Sequence, residues 1–87
     1  MEKEVVIKNK SGLHARPATL LVKFAQKYTQ KLAITKGERT VAATSLLGVL
    51  SLSISPGTTV RLHVEGENAE QVLGEWVEFL DQLAYEE

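Results

Sequence analysis

Thr59-Val60-Arg61-Leu62-His63-Val64-Glu65, followed at once by residues 68–83, changes its apolar spacing from two residues to nearly four, and that change decides the fold class. Val60, Leu62 and Val64 alternate with Thr59, Arg61, His63 and Glu65, the period of a half-buried strand. Gly66-Glu67 breaks the pattern. Asn68 with Gln71 resembles a capping box. Ala69, Val72, Leu73, Trp76, Phe79, Leu80 and Leu83 then fall on one helical stripe. A strand with one apolar face and a helix with one apolar stripe satisfy each other as a sheet covered on one side.

The same logic extends toward the N-terminus. Ser55-Pro56-Gly57-Thr58 is a turn signal. In residues 45–53, Leu46, Leu47, Val49 and Leu50 have helical spacing, although so short a run also fits a strand. Leu32 and Ile34, then Val41 and Ala43, flank Lys36-Gly37-Glu38 as the arms of a hairpin. Residues 15–28 read as a helix with Ala18, Leu21, Val22 and Ala25 on its stripe and Leu20 and Phe24 beside it. Val5 and Ile7 alternate with Glu4 and Lys8 as a first strand, with Val6 as the exception, and Asn9-Lys10-Ser11-Gly12 is a loop. The order is β-α-β-β-α-β-α, an α+β class. The uncovered sheet face, with Arg61 and His63, meets water.

Composition narrows the function. The chain has 87 residues, which argues for one domain over 1–87 with no room for a large catalytic cleft. A net charge of -1 gives no basic excess to attract nucleic acid. Cysteine is absent, so disulfides and thiolate metal sites are excluded. The charged start MEKEVVIKNK is unlike a signal peptide, and no apolar run approaches the ~20 residues that span a bilayer. A soluble cytoplasmic protein is expected.

Chemistry gathers at Gly12-Leu13-His14-Ala15-Arg16-Pro17-Ala18, where a loop becomes a helix. Pro17 suits a first helical turn, where a missing N–H costs little, so His14 is the expected N-cap. A helix N-terminus offers unpaired N–H groups and a positive dipole end to an anion. Ala15 and Arg16 would supply amides, and Arg16 a guanidinium suited to phosphate oxygens. An ordinary imidazole titrates near ~6.5, so a neutral ring is available as a nucleophile at neutral pH. Cap geometry favours Nδ1 facing the amides. From spacing alone, a surface cap histidine without chemistry fits equally well. Metal binding is poorly supported, because the only other histidine, His63, sits in a strand and no acidic residue lies near His14 in sequence. No nucleophile–base–orienter set can be assembled for hydrolysis.

GLHARPA at 12–18, TSLLGVLSL at 44–52 and the element order together resemble HPr, the phosphocarrier family of the bacterial sugar phosphotransferase system. The resemblance covers essentially the whole chain. It implies an open-faced β-sandwich, a four-stranded antiparallel sheet with three helices on one face. It implies that His14 is phosphorylated on Nδ1 by Enzyme I, which draws on phosphoenolpyruvate, and that the group passes to sugar-specific IIA domains. Arg16 and Pro17 match the family's arginine and proline. Ser45 matches a regulatory serine that an HPr kinase/phosphorylase modifies in Gram-positive relatives, after which a catabolite-control transcription factor can bind. A phosphate there would place about -1.5 to -2 charges at a helix start, beside Leu46, Leu47 and Leu50, the expected docking patch, with Leu20 and Leu21 extending it. Such a protein is a monomeric phosphoryl-transfer intermediate rather than a stand-alone enzyme, needing no cofactor or metal. Three features differ among relatives: Thr44 precedes Ser45 where many have lysine, Gly48 follows the Gram-positive pattern, and Asn9-Lys10 is similar to the nitrogen-related branch. His14 separates the chain from the regulatory paralogue that has lost the histidine. The alternative is a regulatory module, from the nitrogen branch or a catabolite co-repressor, that acts through protein contacts.

Overall fold

The alternation of residues 59–65 places this strand inside the sheet. In the computed structural model, which describes residues 1–86, the elements run β1 (Glu2–Val6), α1 (Ala15–Ala25), β2 (Lys31–Lys36), β3 (Arg39–Ala42), α2 (Leu46–Ser51), β4 (Thr59–Glu65) and α3 (Ala69–Glu86). The sheet order is β1-β4-β2-β3, and every neighbouring pair is antiparallel. The three helices cover one face, giving the open-faced sandwich.

Val60, Leu62 and Val64 of β4 and Leu32 and Ile34 of β2 turn into the core, where they meet Leu21 and Val22 of α1 and Trp76 of α3. Trp76 is completely buried, and its indole N–H has no acceptor among the described residues. Val6, which interrupts the alternation of β1, pairs with Thr59 on the open face and is 49% exposed. Ile7 lies past the end of the strand but is buried, and its N–H still bonds the Thr58 carbonyl at 2.9 Å. The hairpin closes between the paired Lys36 and Arg39, with Gly37 at φ +61, a conformation that disfavours side chains.

Two expectations change in detail. Helix α1 stops at Ala25 rather than running to Tyr28, because Tyr28 N–H bonds back to the Ala25 carbonyl in a tighter turn. The capping box at α3 does not form. Asn68 has φ 57 rather than the extended backbone of a cap, and the Gln71 amide donates forward to Glu75 at 3.1 Å.

On the open face, hydrogen bonds cross all the strands. His63 Nδ1 lies 3.0 Å from Glu2 Oε2, and its Nε2 is 2.8 Å from Thr35 Oγ1. Thr35 Oγ1 in turn is 2.6 Å from Thr40 Oγ1. Arg61 pairs with Glu2 and Glu4. Arg61 is exposed as expected, whereas His63 is half-buried and engaged through both ring nitrogens.

Between α1 and α3, Phe24 stacks on Phe79 with ring centroids 4.5 Å apart, and the Tyr28 hydroxyl donates to Glu75. Burial and this bond to a carboxylate push the Tyr28 hydroxyl up to about 12, while the same bond, aided by Gln71, holds Glu75 below its ordinary value. Above an unfolded tyrosine's pKa of about 10, the unfolded chain loses a proton that folded Tyr28 retains, so stability falls as pH rises toward 12. Tyr28→Phe removes this contribution. The fall in melting temperature between pH 9.5 and 11.5, followed by the fluorescence of Trp76, should be shallower in the variant than in the parent.

Candidate functional site

The segment before α1 is held by backbone rather than by helix. Asn9, a polar loop residue, is buried, and its side-chain amide donates to the Gly12 carbonyl. Gly12 N–H returns a bond to the Asn9 carbonyl at 3.0 Å. Gly12 has φ +60, and a Cβ there would stand 2.2 Å from the Ile54 carbonyl oxygen. That approach lets Leu13 N–H bond the same carbonyl at 2.9 Å while the Leu13 side chain fills the core. Ile7 and Gly57 add a further bond between the same two loops.

His14 follows this anchor. It is the N-cap of α1, as the sequence implied, with extended backbone at φ -115 and ψ 161, and its half-buried side chain makes no capping hydrogen bond. The imidazole is therefore not consumed in closing the helix. Ala15, the first helical residue, has φ 50, a left-handed conformation that costs a non-glycine residue about 1–2 kcal/mol. Alanine carries no pattern by which sequence could reveal this. Arg16 is exposed, with no ion pair among the described residues, and borders a hollow of about 150 Å³ with Pro17, Leu20, Leu83 and Glu86. Pro17 is buried in the first turn, and the amides of Ala15 and Arg16 precede the first carbonyl-bonded turn of α1.

Ser45 is the N-cap of α2, and its Oγ accepts from Gly48 N–H at 3.0 Å. This resolves which of Thr44 and Ser45 caps the helix. Leu46 and Leu47 are exposed, Leu47 to 82%, and Leu50 and Leu20 are half-buried. Leu21 is a correction: it is fully buried in the core and cannot meet a partner. It sits on the inward stripe of α1 with Ala18, Val22 and Ala25, one position round from Leu20. Asn9 and Ile54 are the supporting residues that periodicity missed. Among the described residues no cluster of His, Cys, Asp or Glu is arranged to hold a metal ion. No described helix is long and apolar enough to cross a membrane.

The site thus combines an imidazole left out of the capping bonds, an exposed arginine beside it and exposed leucines on a neighbouring helix. Residues 1–82 match the family model PTS-HPr, described as the PTS HPr component phosphorylation site. The chain belongs to the HPr family of phosphotransferase-system phosphocarriers. It is 37% identical over 82 residues to the HPr-like protein Crh of Halalkalibacterium halodurans, covering 94% of this chain and 98% of Crh. It is 40% identical over 73 residues to the phosphocarrier protein NPr of Shewanella violacea, covering 84% and 80%. The crystal structure of HPr from Thermoanaerobacter tengcongensis superposes with a TM-score of 0.93 at 38% identity, covering 100% of this chain and 98% of the other. Identity of 37–40% to Crh, NPr and HPr alike does not choose a branch. Overall likeness therefore does not set the chain apart from the regulatory relatives, as His14 alone had suggested.

Gly12→Ala must force apart the two loops that carry the site. It should cost at least about 2 kcal/mol, read as a lower urea midpoint with an unchanged slope.

Proposed function

We propose that the chain accepts a phosphoryl group on His14 Nδ1 from phospho-Enzyme I and passes it to the IIA domains of sugar permeases. The observation that carries this is the His14 side chain, an N-cap imidazole that makes no capping bond. The neutral ring attacks phosphorus in line. A nitrogen–phosphorus bond forms on His14 as the bond from phosphorus to its donor group on Enzyme I breaks, and that donor group leaves with the electron pair. Passage to a IIA histidine repeats the exchange. Arg16 and the amides at the start of α1 meet the phosphoryl oxygens, so charge is compensated without a metal or cofactor. Exchange takes place in the cytoplasm, with the carrier as a monomer docking through Leu20, Leu46, Leu47 and Leu50.

Ser45 supplies regulation in the same proposal. An ATP-dependent kinase would place a dianion on the cap of α2, beside the exposed Leu46 and Leu47. That charge opposes the docking of an apolar partner surface and favours a different partner, the catabolite-control transcription factor. A second proposal, a regulatory module acting through protein contacts, draws support from the similarity to the HPr-like protein Crh. An adjacent Enzyme I gene would favour the sugar branch, and a nitrogen-regulation operon the second.

His14→Ala should abolish labelling from phosphoenolpyruvate and Enzyme I while the melting temperature stays near that of the parent. Full labelling of the variant would reject the assignment. With ATP and HPr kinase, mass spectrometry should find acid-stable phosphate on Ser45 and none in Ser45→Ala. Ser45→Asp should slow transfer from Enzyme I by roughly tenfold.

A further inference from the structure

Helix α2 has six residues, too few to persist in water by its own hydrogen bonds. Its N-terminal end is closed by Ser45. Its C-terminal end is closed from outside, by two cations of the β2–β3 hairpin. Lys36 Nζ donates to the Leu52 carbonyl at 2.9 Å and to the Ser53 carbonyl at 3.0 Å. Arg39 donates through Nη1 to the Ser51 carbonyl and through Nη2 to Ser51 Oγ, both at 3.0 Å. Ser51 Oγ in turn donates to the Gly48 carbonyl at 2.6 Å. Cations at this end also complement the helix dipole. Ser53, whose carbonyl Lys36 holds, has φ 51, so the chain leaves the helix through a left-handed residue.

The next residue is Ile54, whose carbonyl receives the Leu13 N–H just before His14. The clamped stretch is thus continuous on one side with the helix bearing Leu47 and on the other with the anchor of the histidine. Both cations act on the backbone of residues 51–53, and neither has an ion pair among the described residues that would compete for it.

We propose that Lys36 and Arg39 are positioning residues for partner exchange, holding α2 so that Leu47 and Leu50 meet a partner while His14 faces its phosphoryl group. The proposal rests on the carrier function above. Leu13 and Ile54 are independently fixed in the core, so loss of the clamp alters docking and leaves the imidazole's own reactivity intact.

The test separates the two. His14 is labelled by phosphoramidate, a small donor that needs no docking surface, and in parallel by phospho-Enzyme I. Lys36→Met combined with Arg39→Gln should raise KM for Enzyme I about fivefold with kcat nearly unchanged, the size expected from losing exposed charge-assisted bonds. Phosphoramidate labelling should match that of the parent. Lys36→Arg, which keeps a cation at the carbonyls, should retain most of the parent KM. An unchanged KM in the double variant would overturn the clamp, as would equal losses with both donors, which mark general damage. A parent chain that takes label from phosphoramidate but none from Enzyme I would overturn the carrier function, and the clamp with it.

Discussion

One backbone hydrogen bond, from Leu13 N–H to the Ile54 carbonyl, joins the segment that carries His14 to the one that follows the helix bearing Leu47. It ties the loop entering α1 to the segment leaving α2. It forms only because Gly12 has no Cβ to strike that carbonyl. Asn9, buried beneath the loop, replaces the water that its polar backbone would otherwise require. The sheet and its helices provide a rigid platform, but this junction converts the platform into a site. It fixes the cap of one helix relative to the exit of another, though the two residues are far apart in sequence.

Above the junction the chain is economical in its use of side chains. The His14 backbone starts the helix while its imidazole stays out of the capping bonds. Strain at Ala15 is confined to one residue and is tolerated because Leu13 on one side and Pro17 on the other are buried. Site geometry in this protein follows from backbone constraint more than from side-chain networks. Those networks lie instead on the open face, where Glu2, His63, Thr35 and Thr40 bind the strands together.

The strands and helices were legible because each buries one face, and the period of its apolar residues records which. Even Val6 is explained by the open face it occupies. Leu21 shows where apolar character misleads. Beside Leu20 it looked like part of a docking patch, yet its own helical stripe already placed it inside. Asn9 was unreadable because burial of a polar loop residue leaves no periodic trace. The left-handed Ala15 was unreadable because alanine carries no signal for that conformation. Asn68 and Gln71 satisfied the letters of a capping box, but the left-handed turn after Gly66-Glu67 put their groups elsewhere. The role proposed for His14 rests on the GLHARPA pattern, since one histidine beside one arginine carries little information alone.

In the proposed docking role, Leu47, 82% exposed, sets a limit on how long a complex lasts. Fully burying a leucine yields about 1.5–3 kcal/mol, and a patch of exposed Leu46 and Leu47 with half-buried Leu20 and Leu50 yields only a modest multiple of that. Much of this gain is cancelled by the lost freedom of two bodies. What remains suits complexes that form and dissolve within a turnover. A larger apolar face would grip harder and carry less, because every second spent bound to a donor is withheld from an acceptor. Under the proposed function, the small size of that apolar patch is thus a clock as well as a contact, keeping the protein in circulation.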